Sequence, residues 1–216
     1  MHLKMNKLKV IKNMTELLSI HPEDPQLRLI RHVVESIQQG GVAILPTDSG
    51  YAFCCGLGEK KAIERIRAIR QLDKNHYFTL FCRDFSEIAA YAKVDNLAFR
   101  FLKRHTPGAI TFILFATKEV PQRLQHPKRK TIGIRIPENK IIISVLTELG
   151  APLMHVSVQT ADEWPPADAE SLYERYHKQV NVIVDGGPPH LDHTTVVDLT
   201  NGLPEVIRQG SYRLDL

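Results

Sequence analysis

The chain has no Cys-x-x-Cys pair. Its three cysteines are Cys54, Cys55 and Cys82, an odd number with two adjacent. A zinc ribbon is excluded, a disulfide framework is disfavoured, and a reducing compartment, the cytoplasm, is expected. Long apolar runs are absent too. Stretches such as Ile141–Leu146 fall far short of the roughly 20 residues a membrane-spanning helix needs. Lys4, Lys7, Lys9 and Lys12 are scattered near the start without an unbroken apolar stretch after them, so no secretory leader is expected. There is no Gly-x-x-x-x-Gly-Lys-Ser/Thr loop and no His-Glu-x-x-His. Gly56-x-Gly58 lacks the third glycine of a dinucleotide fingerprint. His190-x-x-His193 lies among prolines, where histidines usually just face solvent, so no metal ligands are assigned. Repeats, low-complexity segments and internal linkers are also missing.

What is present reads as one ordinary globular domain. Apolar residues make up 43% of the 216 positions and charged residues 24%, a normal balance. The net charge of +4 permits an anionic partner without demanding one. Residues 1–20 are loosely patterned and read as an extension, with residues 21–216 as the domain.

Helical and strand patterns then alternate. Asp24-Pro25 reads as a helix start ahead of Leu27, Ile30, Val34 and Ile37, with Gly40-Gly41 as the stop. Val42–Leu45 reads as a short strand. A second helix is expected from Lys60 to about Arg70, and a strand over Phe78–Cys82. Asp95 is placed to cap a helix that Thr106-Pro107-Gly108 breaks. Ala109–Phe115, "TIGIRIP", Leu153–Ser157 and "VNVIVDGG" read as strands. Helices are expected near Ile141–Leu149 and Ala169–Lys178. Asn201-Gly202, between two apolar runs, signals a hairpin. This pattern predicts α/β architecture: a single-domain, twisted, open sheet of mixed parallel and antiparallel strands with flanking helices.

Several short stretches put hydroxyls, glycine or arginine at the ends of apolar strands. They are Thr47-Asp48-Ser49-Gly50-Tyr51, Thr131…Arg135, Ser157-Val158-Gln159, Thr194-Thr195 and Arg208-Gln209-Gly210. Hydroxyls can bond carboxylate or phosphate oxygens, and arginine grips either group in a bidentate pair. Each stretch alone also reads as an ordinary turn, since Asp and Ser bond nearby backbone and Gly takes positive φ. Arg123, Lys128, Arg129 and Lys130 flank one of these strands. They read either as a solvated loop or as contacts to a nucleic-acid backbone.

In order and spacing, "PTDSGYAF", "RAIRQLDKNHYFTLFCRD", "TPGAITFIL", "KRKTIGIRIP", "VSVQ", "TTVVDLT" and "IRQG" resemble the YrdC/YciO family of threonylcarbamoyl-adenylate synthase-like proteins. The resemblance runs from about Pro22 to Gly210 and is nearest the YciO branch. It implies a twisted α/β fold with a basic concave face suited to double-stranded RNA or tRNA, with no DNA-specific signal and no membrane. It also implies a cavity that, in the synthase branch, joins L-threonine, bicarbonate and ATP into threonylcarbamoyl-AMP with Mg²⁺, for modification of a tRNA adenosine. Such chemistry calls for positioning and charge neutralisation rather than a catalytic triad.

Carried over by motif position, Ser49 and Arg135 would face threonine, with Thr47 and Tyr51 shaping that pocket and Thr194 beside the substrate. Arg70, Thr131, Ser157, Gln159 and Arg208 would face ATP. No residue is assigned a catalytic proton transfer. The chain departs from the synthase pattern at four places. Lys-x-Arg-Pro becomes Arg70-Gln71-Leu72-Asp73, His76 replaces the usual polar residue before the next strand, Phe81 stands where histidine is usual, and Ser-Ala-Asn becomes Ser157-Val158-Gln159. Each lost charge-assisted contact to phosphate costs about 1.5–3 kcal/mol. Weakened or redirected synthase activity is therefore expected; the alternative is a non-catalytic module that binds double-stranded RNA or ribosomes.

Overall fold

The structure is a computed structural model that describes residues 15–73, 76–158, 167–189 and 193–214. Ten strands form one sheet: β1 (Glu16–Ser19), β2 (Ala43–Thr47), β3 (Gly50–Gly56), β4 (Thr79–Phe81), β5 (Ile110–Phe115), β6 (Thr131–Arg135), β7 (Leu153–Ser157), β8 (Val182–Asp185), β9 (Thr195–Asp198) and β10 (Glu205–Arg208). The described helices are α1 (Leu27–Gln38), α2 (Lys60–Arg70), α3 (Phe85–Tyr91), α4 (Asn96–His105), α5 (Lys140–Leu149) and α6 (Ala169–Tyr176). Strand order is β1-β8-β2-β3-β7-β4-β6-β5-β9-β10. The β1–β8, β2–β8, β4–β6 and β5–β9 pairs are parallel and the rest antiparallel, so the mixed single-domain α/β sheet is as predicted.

Local chemistry sets most boundaries. The Asp95 carboxylate accepts from the backbone of Leu97 at 3.0 Å and Ala98 at 2.8 Å, which starts α4. Asn139 does the same for α5 through Ile142, and Gly150 ends that helix at φ 70°. Gly202, at φ 82°, turns the chain between β9 and β10. The expected cap at Asp24 is not used: α1 begins at Leu27 after Gln26, which makes no side-chain cap bond. Instead His21 Nδ1 accepts from the backbone of Asp24 at 3.0 Å, and Gln26 Oε1 accepts from the backbone of His21 at 3.1 Å. These bonds fold residues 21–26 into a separate turn ahead of the helix. Three elements had no sequence expectation. Strand β1, inside the stretch read as an extension, pairs in parallel with β8. Strand β3 pairs with β2 immediately after the turn, and α3, at 7 residues, is too short to show a helical period.

The two faces of the sheet are covered unequally. One face carries Ile44, Phe53, Leu80, Phe112, Ile134 and Met154, and packs against buried residues of α2, α3, α4 and α6. The other carries Ala43, Leu45, Ala52, Cys54 and Leu153, over which α1 and α5 lay Ile30, Val33, Val34, Ile141, Val145 and Leu146. That second helical layer lies mainly over the β8–β2–β3 side and reaches as far as Leu153 of β7 and Phe81 of β4. Beyond it, the same face of β7, β4, β6, β5 and β9 lines an open cleft.

Candidate functional site

The cleft has a volume of about 630 Å³, within the range of small-molecule sites. Its floor is built by strand alternation: His155 and Ser157 from β7, Thr79 from β4, Gly133 and Arg135 from β6, Thr111 and Ile113 from β5, and Val196 from β9. A Cβ at Gly133 would meet the Thr79 hydroxyl at 2.6 Å, so glycine there lets that hydroxyl lie over the floor. Arg70, His76, Arg129, Thr194 and Arg208 form the walls.

Arg135 is buried at the end of β6, with a side chain only 2% exposed. It donates to the Asp48 carboxylate at 2.5 Å, to the Ser49 hydroxyl at 2.8 Å and to the Gly108 carbonyl at 3.1 Å. Burial pushes its pKa down while Asp48 opposes the shift. Asp48 also accepts from the backbone of Glu138 at 3.1 Å. The Thr47 hydroxyl donates to the Gly50 carbonyl at 2.7 Å and accepts from the Ser49 backbone at 3.0 Å. The Thr-Asp-Ser-Gly segment is thus a turn whose polar groups are organised around a buried guanidinium.

The remaining arginines differ in how they are balanced. Arg129 pairs with Asp198 at 2.7 Å and donates to the Thr200 hydroxyl at 2.8 Å. Burial pushes the Asp198 carboxyl up, but bonds from Thr200 and Arg129 outweigh it and hold its pKa below the usual value. Arg208 donates to the Thr194 carbonyl at 2.9 Å and the Thr194 hydroxyl at 2.7 Å, and burial lowers its pKa. Neither Arg208 nor Arg70 pairs with a carboxylate among the described residues, and the Arg70 Nε is buried without a partner there. Asp73 lines the cleft too, but two cations without a carboxylate partner among the described residues on one concave surface favour an anion.

His155 and His76 sit on the same cleft. Burial, with Arg135 and His76 nearby, pulls the His155 pKa well below its ordinary value. Burial likewise lowers that of His76. Sequence reading passed over His155. The available sign was a lone histidine inside the apolar strand "LMHVS".

The cleft gathers Arg70, Arg135, Ser157, Thr194 and Arg208 of the residues expected for small ligands, and also Arg129, expected at an RNA contact but here in the cleft wall and paired with Asp198. Ser49 adjoins it through Arg135. Thr131 lies on the same strand face as Gly133 and Arg135, buried and with its hydroxyl unpartnered among the described residues. Thr47 and Tyr51 line a different cleft, of about 810 Å³, at the rim near Pro46 and Pro137. Tyr51 packs in the helix-covered core, where burial and Asp185 push its pKa up to about 12. In that larger cleft Lys140 pairs with Glu23 at 2.9 Å and Arg83 with Glu87 at 2.6 Å, so less free charge is on offer. Gln159 and His190 lie outside the described residues. Arg123, Lys128 and Lys130 are exposed on the neighbouring loop, where Arg123 donates to the Gly58 carbonyl at 2.9 Å.

Leu72, at the position of the second family cation, packs against the helix-covered core. It lines an outer groove with Arg67, Arg123 and Lys130 rather than the bare-face cleft. The left-handed Gln71, at φ 49°, ends α2 just before it. No cluster of three or more metal-ligating side chains occurs among the described residues. No helix among the described residues is long and apolar enough to cross a membrane.

Known proteins share this fold. The family model described as Telomere recombination, Sua5/YciO/YrdC, matches residues 35–210. The uncharacterized protein YciO of Escherichia coli is 49% identical over 198 residues, 91% of this chain and 96% of that one. Its crystal structure superposes with a TM-score of 0.90, covering 94% and 98% of the two chains. A threonylcarbamoyl-AMP synthase from Pyrococcus abyssi is 24% identical over 188 residues, 86% of this chain and 55% of the synthase. The structure of P. abyssi Sua5 complexed with L-threonine shares the fold, with a TM-score of 0.82 at 23% identity over 91% of this chain and 58% of that one. By the span of the family model and the identity to YciO, the chain belongs to the Sua5/YciO/YrdC family.

Proposed function

We propose that the bare-face cleft binds ATP together with a small amino acid, L-threonine in the first instance, and makes threonylcarbamoyl-AMP only poorly. The adjoining Arg123, Lys128, Arg129 and Lys130 would contact double-stranded RNA or tRNA in the cytoplasm. One observation carries the small-molecule reading. Arg70 and Arg208 face the same 630 Å³ cleft as Arg135 and lack a carboxylate partner among the described residues. The relationship to a threonylcarbamoyl-AMP synthase supports the choice of ligands.

In this reading Arg208 and Arg70 neutralise phosphate oxygens, with Ser157 and Thr194 supplying hydroxyls. Arg135 and Ser49 hold the amino-acid carboxylate. A guanidinium has five N–H donors, and the bonds to Gly108, Ser49 and Asp48 use three of them, leaving two for a ligand. Joining bicarbonate to the amine and then to the nucleotide, with release of pyrophosphate, needs close placement and charge neutralisation more than proton transfer. Leu72 supplies no charge to that step, because its side chain packs outside the cleft.

Calorimetry with ATP and Mg²⁺, run beside a pyrophosphate assay containing threonine and bicarbonate, tests both halves. Nucleotide binding with near-background pyrophosphate release is the expected result. Release that depends on threonine and bicarbonate, at the rate of a dedicated synthase, would overturn the claim of weak synthesis. The second reading is a non-catalytic RNA-binding module, favoured by the exposed groove of Arg67, Arg123 and Lys130. Duplex RNA binding without any nucleotide binding would select it.

A further inference from the structure

Both ring nitrogens of His155 are buried without a hydrogen-bond partner among the described residues. The ring lies flat on Phe81, with centroids 3.5 Å apart and planes within 5° of parallel. Phe81 also carries the Arg135 guanidinium, 5.6 Å from its centroid. His155 is 7% exposed and borders the cleft. Stacking fixes the plane of the ring, so its edge is presented in place rather than swung out to water. A neutral imidazole has one donor and one acceptor. Buried polar groups of this kind are normally satisfied, and here the protein leaves the satisfying group to be supplied from the cleft.

We infer that His155 contacts the ligand and selects a small amino acid that carries a hydroxyl group. This rests on the reading that the cleft holds such an acid through Arg135. The hydroxyl both donates and accepts, as the imidazole does. Burial and the neighbouring Arg135 and His76 keep the ring uncharged, so it offers no ionic attraction to a second carboxylate. Arg135 and His155 rest against the same Phe81 ring. Both also line the cleft, so a small acid gripped by Arg135 would lie within the same cavity as His155. A site built to bond a hydroxyl rejects the analogue lacking it, because the protein's own polar atoms then stay unpaired.

The test uses L-threonine and L-valine, which differ by a hydroxyl in place of a methyl. Each is titrated into the full chain with ATP and Mg²⁺ present. The wild-type protein should prefer threonine by tenfold or more. His155→Phe keeps a flat ring on Phe81 but removes the nitrogens, and should bring the two affinities within about twofold. His155→Asn restores a donor and an acceptor and should recover part of the preference; it also covers the case in which the phenylalanine variant does not fold. A tenfold preference that persists in His155→Phe, or equal wild-type affinities for both amino acids, overturns this inference and leaves the functional reading standing. Failure of the wild-type protein to bind either amino acid overturns both.

Discussion

Arg135 and Asp48 lie 87 positions apart in the chain, yet their side chains meet at 2.5 Å, tying the end of β6 to the turn between β2 and β3. Both are largely buried. Removing one member of a buried pair strands the other charge and costs about 3–5 kcal/mol. Asp48→Ala should lower stability by about that amount in urea unfolding. Adding Arg135→Met to it should recover a large part of the loss, because the two effects are coupled. Additive losses in the double variant would contradict a direct pairing.

Arg208 reaches the cleft without a carboxylate partner among the described residues. Arg208→Ala should weaken binding of ATP by about ten- to a hundredfold, the range for one charge-assisted bond. Thermal stability should change little, because among the described residues the guanidinium bonds Thr194 alone. Competition against a fluorescent nucleotide reads the affinity, and unchanged competition would remove Arg208 from the site.

Gly210 follows β10 and touches the strand entry that carries Thr194. A Cβ there would sit 2.1 Å from the His193 carbonyl oxygen and 2.6 Å from the Thr195 nitrogen. Backbone cannot yield as a side-chain tip does. Gly210→Ala should therefore destabilise the chain by at least about 1–3 kcal/mol, the usual cost of overpacking. It should also weaken the ligand site by shifting Thr194. A variant with wild-type melting behaviour would contradict this close approach.

His155 also sets a pH dependence. Burial, with Arg135 and His76 nearby, holds its folded pKa well below the ordinary histidine value of about 6.5. As pH falls below about 6.5 the unfolded chain takes up a proton that the folded chain refuses. The stabilisation from burying neutral His155 is therefore complete above that pH and lost on acidification, by up to about 1.4 kcal/mol per pH unit. His155→Phe removes this loss, while His76 keeps its own smaller one in both proteins. The stability gap in favour of His155→Phe should widen from pH 7 to pH 5 in urea unfolding. A constant gap would mean that the ring titrates alike in both states.

The sheet and most helices were legible because apolar periodicity and caps spoke for them. The spans of α2 and β7 follow directly from Ile63, Ile66 and Ile69 and from Leu153–Ser157. The start of α1 did not, since His21 captures the backbone that Asp24-Pro25 was expected to begin. The turn reading of Thr-Asp-Ser-Gly was sound as local chemistry, but nothing local shows Asp48 reaching β6. Strand alternation separates Tyr51 from Ser157, which sequence order alone cannot do. His155 was silent because a histidine in an apolar strand looks like any packed ring until its neighbours are known. Leu72 could be read for packing from its spacing, and its outward-facing groove follows from the turn at Gln71.

Titration of ATP with Mg²⁺ into the wild-type chain, with and without L-threonine, tests the central claim most directly. Saturable binding at one site per chain, tightened by threonine because both ligands share the cleft, is the expected result. Absence of binding heat at millimolar ATP in both titrations would contradict it.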